Sequence, residues 1–222
     1  MKIFDCTTFF EEDLMMDVRF NILNEYVDTF IVCESKYSHS GKEKKINFDL
    51  NNFPKFKNKI KHIILENEPS KLTDESKATP EGQRTNSVKR IMHQRDFIKT
   101  ALSKANKDDI IMYSDNDEIP NLDHLNFEKI TNKIIIFNQK IFYYKFNLLY
   151  PGLDWYGTKC CRYKDLKSVS WLRDIKPKKY KPFRLDVMFS KYKFIDLKII
   201  QNGGWHFSSV KNLRGLLNKY EN

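Results

Sequence analysis

Two strand-length apolar runs separated by a helical stretch open the chain, and that order restricts the fold more than any other feature. Lys2–Cys6 reads as a strand, Phe9–Asn24 as a helix and Thr29–Glu34 as a second strand. The acids Glu11, Glu12 and Asp13 fall in the first turn of that helix, where free amide hydrogens and the macrodipole favour negative charge. Strand, helix, strand is a βαβ unit, whose crossover makes the two strands parallel.

The alternation continues. A polar loop, "SKYSHSGKEKK", leads to an apolar run at His62–Leu65, and a breaker-rich linker runs from Asn67 to Gly82. A long helix is expected next, because Val88, Ile91, Met92, Ile98, Ala101, Leu102 and Ala105 recur at spacings of three and four and define one buried stripe. Ile110–Tyr113 is the following strand. Lys133–Phe137 and Ile141–Leu149 read as strands, short strands and turns pass through "DWYGTKCCRYKDL" and "NGGWHFSS", and a last amphipathic helix is expected from near Val210. One α/β domain over residues 1–222 is the expectation.

An apolar fraction of 41% excludes a disordered chain. No stretch approaches the roughly eighteen uninterrupted apolar residues of a membrane span. The opening "MKIFDCTTFFEED" has neither the apolar core nor the cleavage site of a secretory signal, so a cytoplasmic location in a microbial or viral setting is expected. Cys6, Cys33, Cys160 and Cys161 form no CxxC pair and read as reduced core thiols, with the adjacent last two on opposite faces of a strand. A net charge of +10 invites a polyanion-binding module, yet "GKEKK", "KFKNKIKH" and "DIKPKKYKPFR" are separate and lack a recognition helix or stacking motif, so nucleic acid is not the expected partner.

"SDNDEIP", residues 114–120, follows the strand Ile110–Tyr113 and holds Asp115, Asp117 and Glu118. It therefore lies at the carboxyl end of a parallel strand, where open α/β sheets bind ligands. Asp115 and Asp117 are two apart, so in extended backbone both carboxylates project the same way and need a cation or a proton between them. A divalent ion would satisfy both and leave positions for substrate phosphates. A solvated turn with Glu118 capping the next segment is the plainer alternative. If repulsion dominates, neutralising either aspartate leaves the empty protein as stable or more so.

Arg95 lies three residues after Met92 and three before Ile98, inside the apolar stripe, and a guanidinium there must find an anion. Asp96, Asp5 and a bound diphosphate are the candidates.

The ordered series "IFDCTTFFEEDLMMDVRFNILNEYVDTFIVCES", "HSGKEK", "NFPKFKNKI", the Arg95 helix, "DDIIMYSDNDEIP", "WYGTKCCRYKDL" and "GGWHFSS" resembles glycosyltransferase family 17, from residue 2 to about 209. The resemblance implies a GT-A-type, Rossmann-like mixed and mostly parallel sheet flanked by helices. It implies an inverting, metal-dependent transfer of a sugar, GlcNAc by preference, from UDP-GlcNAc to a glycan acceptor, with Mn²⁺ or Mg²⁺ as cofactor. Asp115 and Asp117 match the metal-binding aspartates, with Asp115 also beside the nucleotide. Glu34 and Ser35 match a strand-end "ES" at the nucleoside, Arg95 matches the helix arginine, and Lys42 joins it on the leaving diphosphate. His206 would close over the metal and diphosphate; as plain sequence it is a histidine packed beside Trp205. Trp155, Gly157 and Thr158 would shape the sugar or acceptor side, and equally suit an ordinary core. Members of this family often continue further, so part of the acceptor site is expected beyond residue 222.

An inverting transfer needs a base for the acceptor hydroxyl. Asp154 and Glu118 are the candidates, with Asp186 behind them. A metal phosphohydrolase using the same acids and a basic polyanion-binding module are the alternatives.

Overall fold

In the computed structural model, which describes residues 1–75, 77–181 and 183–210, the expected βαβ unit is β1 (Ile3–Phe9), α1 (Asp13–Leu23) and β2 (Thr29–Ser35). It is followed by β3 (Ile60–Leu65), α2 (Pro80–Phe97), β4 (Ile110–Tyr113), β5 (Glu118–Pro120), β6 (Ile134–Phe137), β7 (Gln139–Tyr143) and β8 (Leu149–Trp155). Then come β9 (Lys159–Arg162), α3 (Val169–Asp174), α4 (Leu185–Met188), β10 (Leu197–Ile200) and β11 (Gly204–Ser208). The helix expected from near Val210 lies outside the described residues.

Seven strands form the main sheet in the order β10-β6-β9-β4-β1-β2-β3. All neighbours are parallel except β9, which runs antiparallel to both β4 and β6. This is a mixed, mostly parallel Rossmann-like sheet, as expected.

Both faces of the sheet are covered, because neighbouring residues of each central strand are both apolar and point opposite ways. Phe30, Val32, Ile110, Met112 and Cys160 join Met16 and Phe20 of α1 on one face. Ile31, Cys33, Ile111, Tyr113 and Cys161 join Ile98, Leu102, Trp171 and Leu172 on the other. Cys160 and Cys161 thus separate as their adjacency requires, and all four cysteines are buried and free.

A second sheet, ordered β5-β11-β7-β8, grows from the carboxyl end of β4. The run Ile141–Leu149, read as one strand, is broken: Tyr144 adopts φ 63°, and the chain reverses into the β7–β8 hairpin.

Of the expected apolar stripe, Ile98, Ala101 and Leu102 are buried just beyond α2, but along α2 itself the apolar positions are not the buried face. Val88 and Met92 are exposed, while Asn86, Arg90 and Gln94, spaced by four, are buried. Their polar groups are occupied by neighbouring chain: Asn86 brackets Thr73, Arg90 pairs with Glu68 and Glu75, and Gln94 donates to Cys33 O at 3.0 Å. A polar stripe can be buried when it is fully hydrogen-bonded, and hydrophobic periodicity cannot report it.

Candidate active site

The acidic turn after β4 is built by a buried arginine that reaches it from α1. Arg19 lies on the helix face that buries Met15, Met16, Phe20 and Leu23. It grips Asp5 of β1 in a two-pronged pair at 2.5 and 2.6 Å. Its remaining hydrogens go to Ser114 Oγ at 2.7 Å, Glu118 O at 2.9 Å and, more weakly, Asp115 O at 3.4 Å, so the turn is anchored through its first two residues and its last. Asp5 is therefore taken, and Asp96 is taken by Ser170.

Arg95 finds Asp115. Its Nη2 donates to Asp115 Oδ1 at 3.1 Å, and its Nε donates to the Tyr113 hydroxyl at 2.9 Å, which itself donates to Asp115 Oδ1 at 2.9 Å. A second guanidinium, Arg173 at the end of α3, donates to Asp115 Oδ2 at 2.8 Å and to Glu118 Oε1 at 2.7 Å. Although burial pushes the Asp115 carboxyl up, Arg173 and Arg95 together hold it down to about 2. Both its oxygens are committed to cations.

Glu118 is 1% exposed and fully engaged. Oε1 also accepts from Trp155 Nε1 at 2.7 Å, and Oε2 accepts from the Asp115 amide at 3.0 Å. Burial and the neighbouring Asp115 charge raise its pKa, against the pull of Arg173. Gly157 packs directly on this carboxyl, where a Cβ would overlap it and Gln139 Oε1, and its own carbonyl accepts from Arg173 Nη1 at 2.5 Å.

Asp117 points elsewhere, toward His206. Antiparallel pairing of β5 with β11 sets His206 opposite Glu118, and the Phe207 amide donates to Asp117 O at 2.8 Å. Gly204 permits the approach: at φ +124° its backbone lies against Ile119 O, where a side chain would collide. His206 Nε2 stands 3.6 Å from Asp117 Oδ2, its ring stacks on Trp155 with centroids 4.4 Å apart, and its Nδ1 is buried without a partner.

These groups open on a cleft of about 810 Å³. Arg95, Asp115, Asp117, Trp155 and His206 line one part of it, and Phe10 to Met15, leading into α1, line another. Among the described residues, no three His, Cys, Asp or Glu side chains are gathered as a ready metal site. Asp117 and His206 nevertheless fit a divalent ion: they are close enough to share one, and such an ion commonly takes only one or two protein ligands beside phosphates and water. Asp115 does not fit, since its oxygens already face two guanidiniums.

A family model described as glycosyltransferase family 17 matches residues 1–175. The chain belongs to glycosyltransferase family 17. The match spans the βαβ unit, the acidic turn, Trp155 and Arg173. Among solved structures, the crystal structure of HddC from Yersinia pseudotuberculosis is similar, with 13% identity and a TM-score of 0.41 over 91% of this chain and 92% of that one. No curated protein matches.

Several residues expected at the site of this family 17 member serve other ends. Glu34 is fully buried and organises the loop after β2, accepting from Lys44 Nζ at 2.5 Å and from the amides of Asn47 and Phe48. Ser35 Oγ accepts from the Tyr37 amide. Lys42 is exposed in the tight turn closed by Ser38, and does not line the cleft. Thr158 is buried on Gln139 and does not line the cleft. Asp154 is exposed beside a separate hollow, bonded to Asn138, and Asp186 pairs with Arg184 and Lys193. Neither is brought to the cleft, and Glu118 has no free oxygen, so none of the three is placed as a base.

Arg19, Tyr113 and Arg173 were not anticipated. Arg19 did carry a signal, a lone cation at helical spacing among Met15, Met16, Phe20 and Leu23. Arg173, one residue after buried Leu172 in a six-residue helix, carried almost none.

Proposed function

We propose that this family 17 glycosyltransferase moves GlcNAc from UDP-GlcNAc to a glycan hydroxyl with inversion, using Mn²⁺ or Mg²⁺. The observation that carries the reading is the convergence of a cation and an acid–imidazole pair on one cleft: Arg95 beside Asp115, and Asp117 beside His206. Transfer builds negative charge on the leaving diphosphate, and stabilising developing charge is the largest service a preformed site can offer.

Asp117 and His206 would hold the ion, which supplies electrostatic stabilisation of the diphosphate oxygens when bound. Arg95 is fixed by Tyr113 and Asp115 at the cleft edge, so its guanidinium is oriented before any ligand arrives. Trp155 is held edge-on by Glu118 and face-on by His206, which leaves a rigid aromatic wall for a pyranose.

For the base we assign Asp13, which lines the cleft at the start of α1. Glu12 is occupied by the Phe10 and Glu11 amides and by Asn116, whereas among the described residues Asp13 accepts a long bond from Asn52 at 3.3 Å. Burial, with Glu34, Asp49 and Glu12 adding to it, raises the Asp13 pKa and makes its carboxylate a better proton acceptor.

Titration calorimetry with UDP, with and without Mn²⁺, and a transfer assay across a panel of nucleotide sugars test the reading. His206→Ala should weaken UDP strongly with Mn²⁺ and little without it. Asp13→Asn should lower kcat and leave UDP affinity unchanged. Equal UDP affinity with and without Mn²⁺ in the unaltered protein would remove the metal from the proposal, and turnover of a phosphate ester without an acceptor would favour a hydrolase.

A further inference from the structure

The described residues 176–181 and 183–193 leave the body of the protein and return to it at one place. The Lys176 amide donates to Tyr192 O at 2.8 Å, and Trp171 Nε1 donates to Lys191 O at 2.8 Å, so both ends of the excursion are fastened near α3. Between them the side chains that would fill a core face water. Phe183 is 94% exposed, Phe189 87%, Leu185 71% and Met188 66%. Val187 is the buried residue of α4, which turns its neighbours outward.

The same stretch holds seven Lys and Arg against one acid, Asp186. Arg184 and Lys193 grip that acid at 2.8 and 2.7 Å. Lys176, Lys178, Lys179, Lys181 and Lys191 are left with no other acid of the segment to offset them.

Exposed apolar surface of this kind marks an interaction site, and the charge around it selects the partner. Protein interfaces are depleted of lysine, and a second copy of a chain with net charge +10 would bring the same collar against itself. An anionic lipid surface wants both features at once: large apolar side chains to enter the boundary between headgroups and acyl chains, and lysines to meet the phosphates.

We infer that residues 176–193 are a docking loop for an anionic membrane surface, with Phe183, Leu185, Met188 and Phe189 inserted and the lysines at headgroup level. The loop begins three residues after Arg173, which donates to Asp115 and Glu118, so docking would tether the segment next to the side chain that holds the acidic turn. The inference does not depend on which donor the site takes.

The β7–β8 hairpin provides an internal control. Tyr144, Leu148 and Tyr150 are about as exposed as a control requires, at 54%, 51% and 51%, but residues 144–153 contain one lysine and no collar.

Vesicle flotation of the full chain decides the matter, with phosphatidylcholine alone and with phosphatidylcholine carrying about one third phosphatidylglycerol. Binding should appear on the anionic vesicles, be absent or at least tenfold weaker on the neutral ones, and fall with added salt. Phe183→Ser with Phe189→Ser, and separately Lys178→Glu with Lys179→Glu and Lys181→Glu, should each lower partitioning by tenfold or more, and Leu148→Ser with Tyr150→Ser should leave it unchanged. All these side chains are at the surface, so the melting temperature should hold in each variant. Absence of anionic-vesicle binding, equal binding to both vesicle types, or binding that survives both loop variants would overturn the inference. So would a concentration-dependent dimer that the phenylalanine variant abolishes while no vesicle binding is seen.

Discussion

A single guanidinium nitrogen of Arg173 donates to Asp115 at 2.8 Å and Glu118 at 2.7 Å, while its partner nitrogen donates to Gly157 O. One side chain on α3 thereby ties together the end of β4, the start of β5 and the loop between β8 and β9. Removing it leaves two carboxylates 3 positions apart without their shared cation. Arg173→Ala should cost about 3 kcal/mol in urea unfolding, and Arg173→Lys should recover only part of that, because an ammonium cannot span three acceptors in a plane.

The two aspartates of the turn should part company on neutralisation. Asp115→Asn leaves Arg95 and Arg173 facing each other without their common anion, and should destabilise the protein by about 2–4 kcal/mol. This reverses the expectation that relief of repulsion dominates. Asp117→Asn should alter stability by less than about 1 kcal/mol and remove Mn²⁺-dependent UDP binding. Similar stability losses in both would show that Asp115 is not specially held.

Gly157→Ala tests close packing at the site. The added methyl meets the Glu118 carboxyl and Gln139 Oε1, neither of which can move without breaking its own hydrogen bonds. A loss of about 1–3 kcal/mol is expected, with Trp155 fluorescence shifted as its contact with Glu118 changes. An unperturbed melting curve and emission would disprove the contact.

Lys159 gives a pH dependence with a defined sign. Burial, then the charge of Arg173, lowers its pKa from 10.5 to about 7, while its ammonium donates to the carbonyls of Arg173 and Ile175. Between these values the unfolded chain keeps a proton that the folded chain has released. Stability from this group is therefore least below about 7 and rises with pH, by up to ~1.4 kcal/mol per unit, until the unfolded lysine also titrates. The difference in unfolding free energy between the unaltered protein and Lys159→Met should change accordingly between about pH 7 and about pH 9. A difference that stays flat would mean the lysine remains charged when folded.

Parts of this arrangement are legible as motif. The acids after Ile110–Tyr113 lie at a strand end, Arg95 does seek an anion, and His206 does stand beside Asp117. Single residues carry less: Glu34 at its strand end organises the loop after β2, and α2 buries a hydrogen-bonded polar stripe that hydrophobic periodicity does not report.

By itself the sequence determined the alternation of strands and helices, because side-chain periodicity and local propensity act within a few residues. It also put carboxylates where parallel strands end. Only the tertiary structure decided which carboxylate is neutralised and which stays available. That choice depends on Arg173, 58 residues from Asp115, and on the β5–β11 register that sets His206 against the turn. Coulombic pairing and hydrogen bonding act over ångströms of space whatever the distance along the chain, so the division of labour between Asp115 and Asp117 exists only once the sheets have formed.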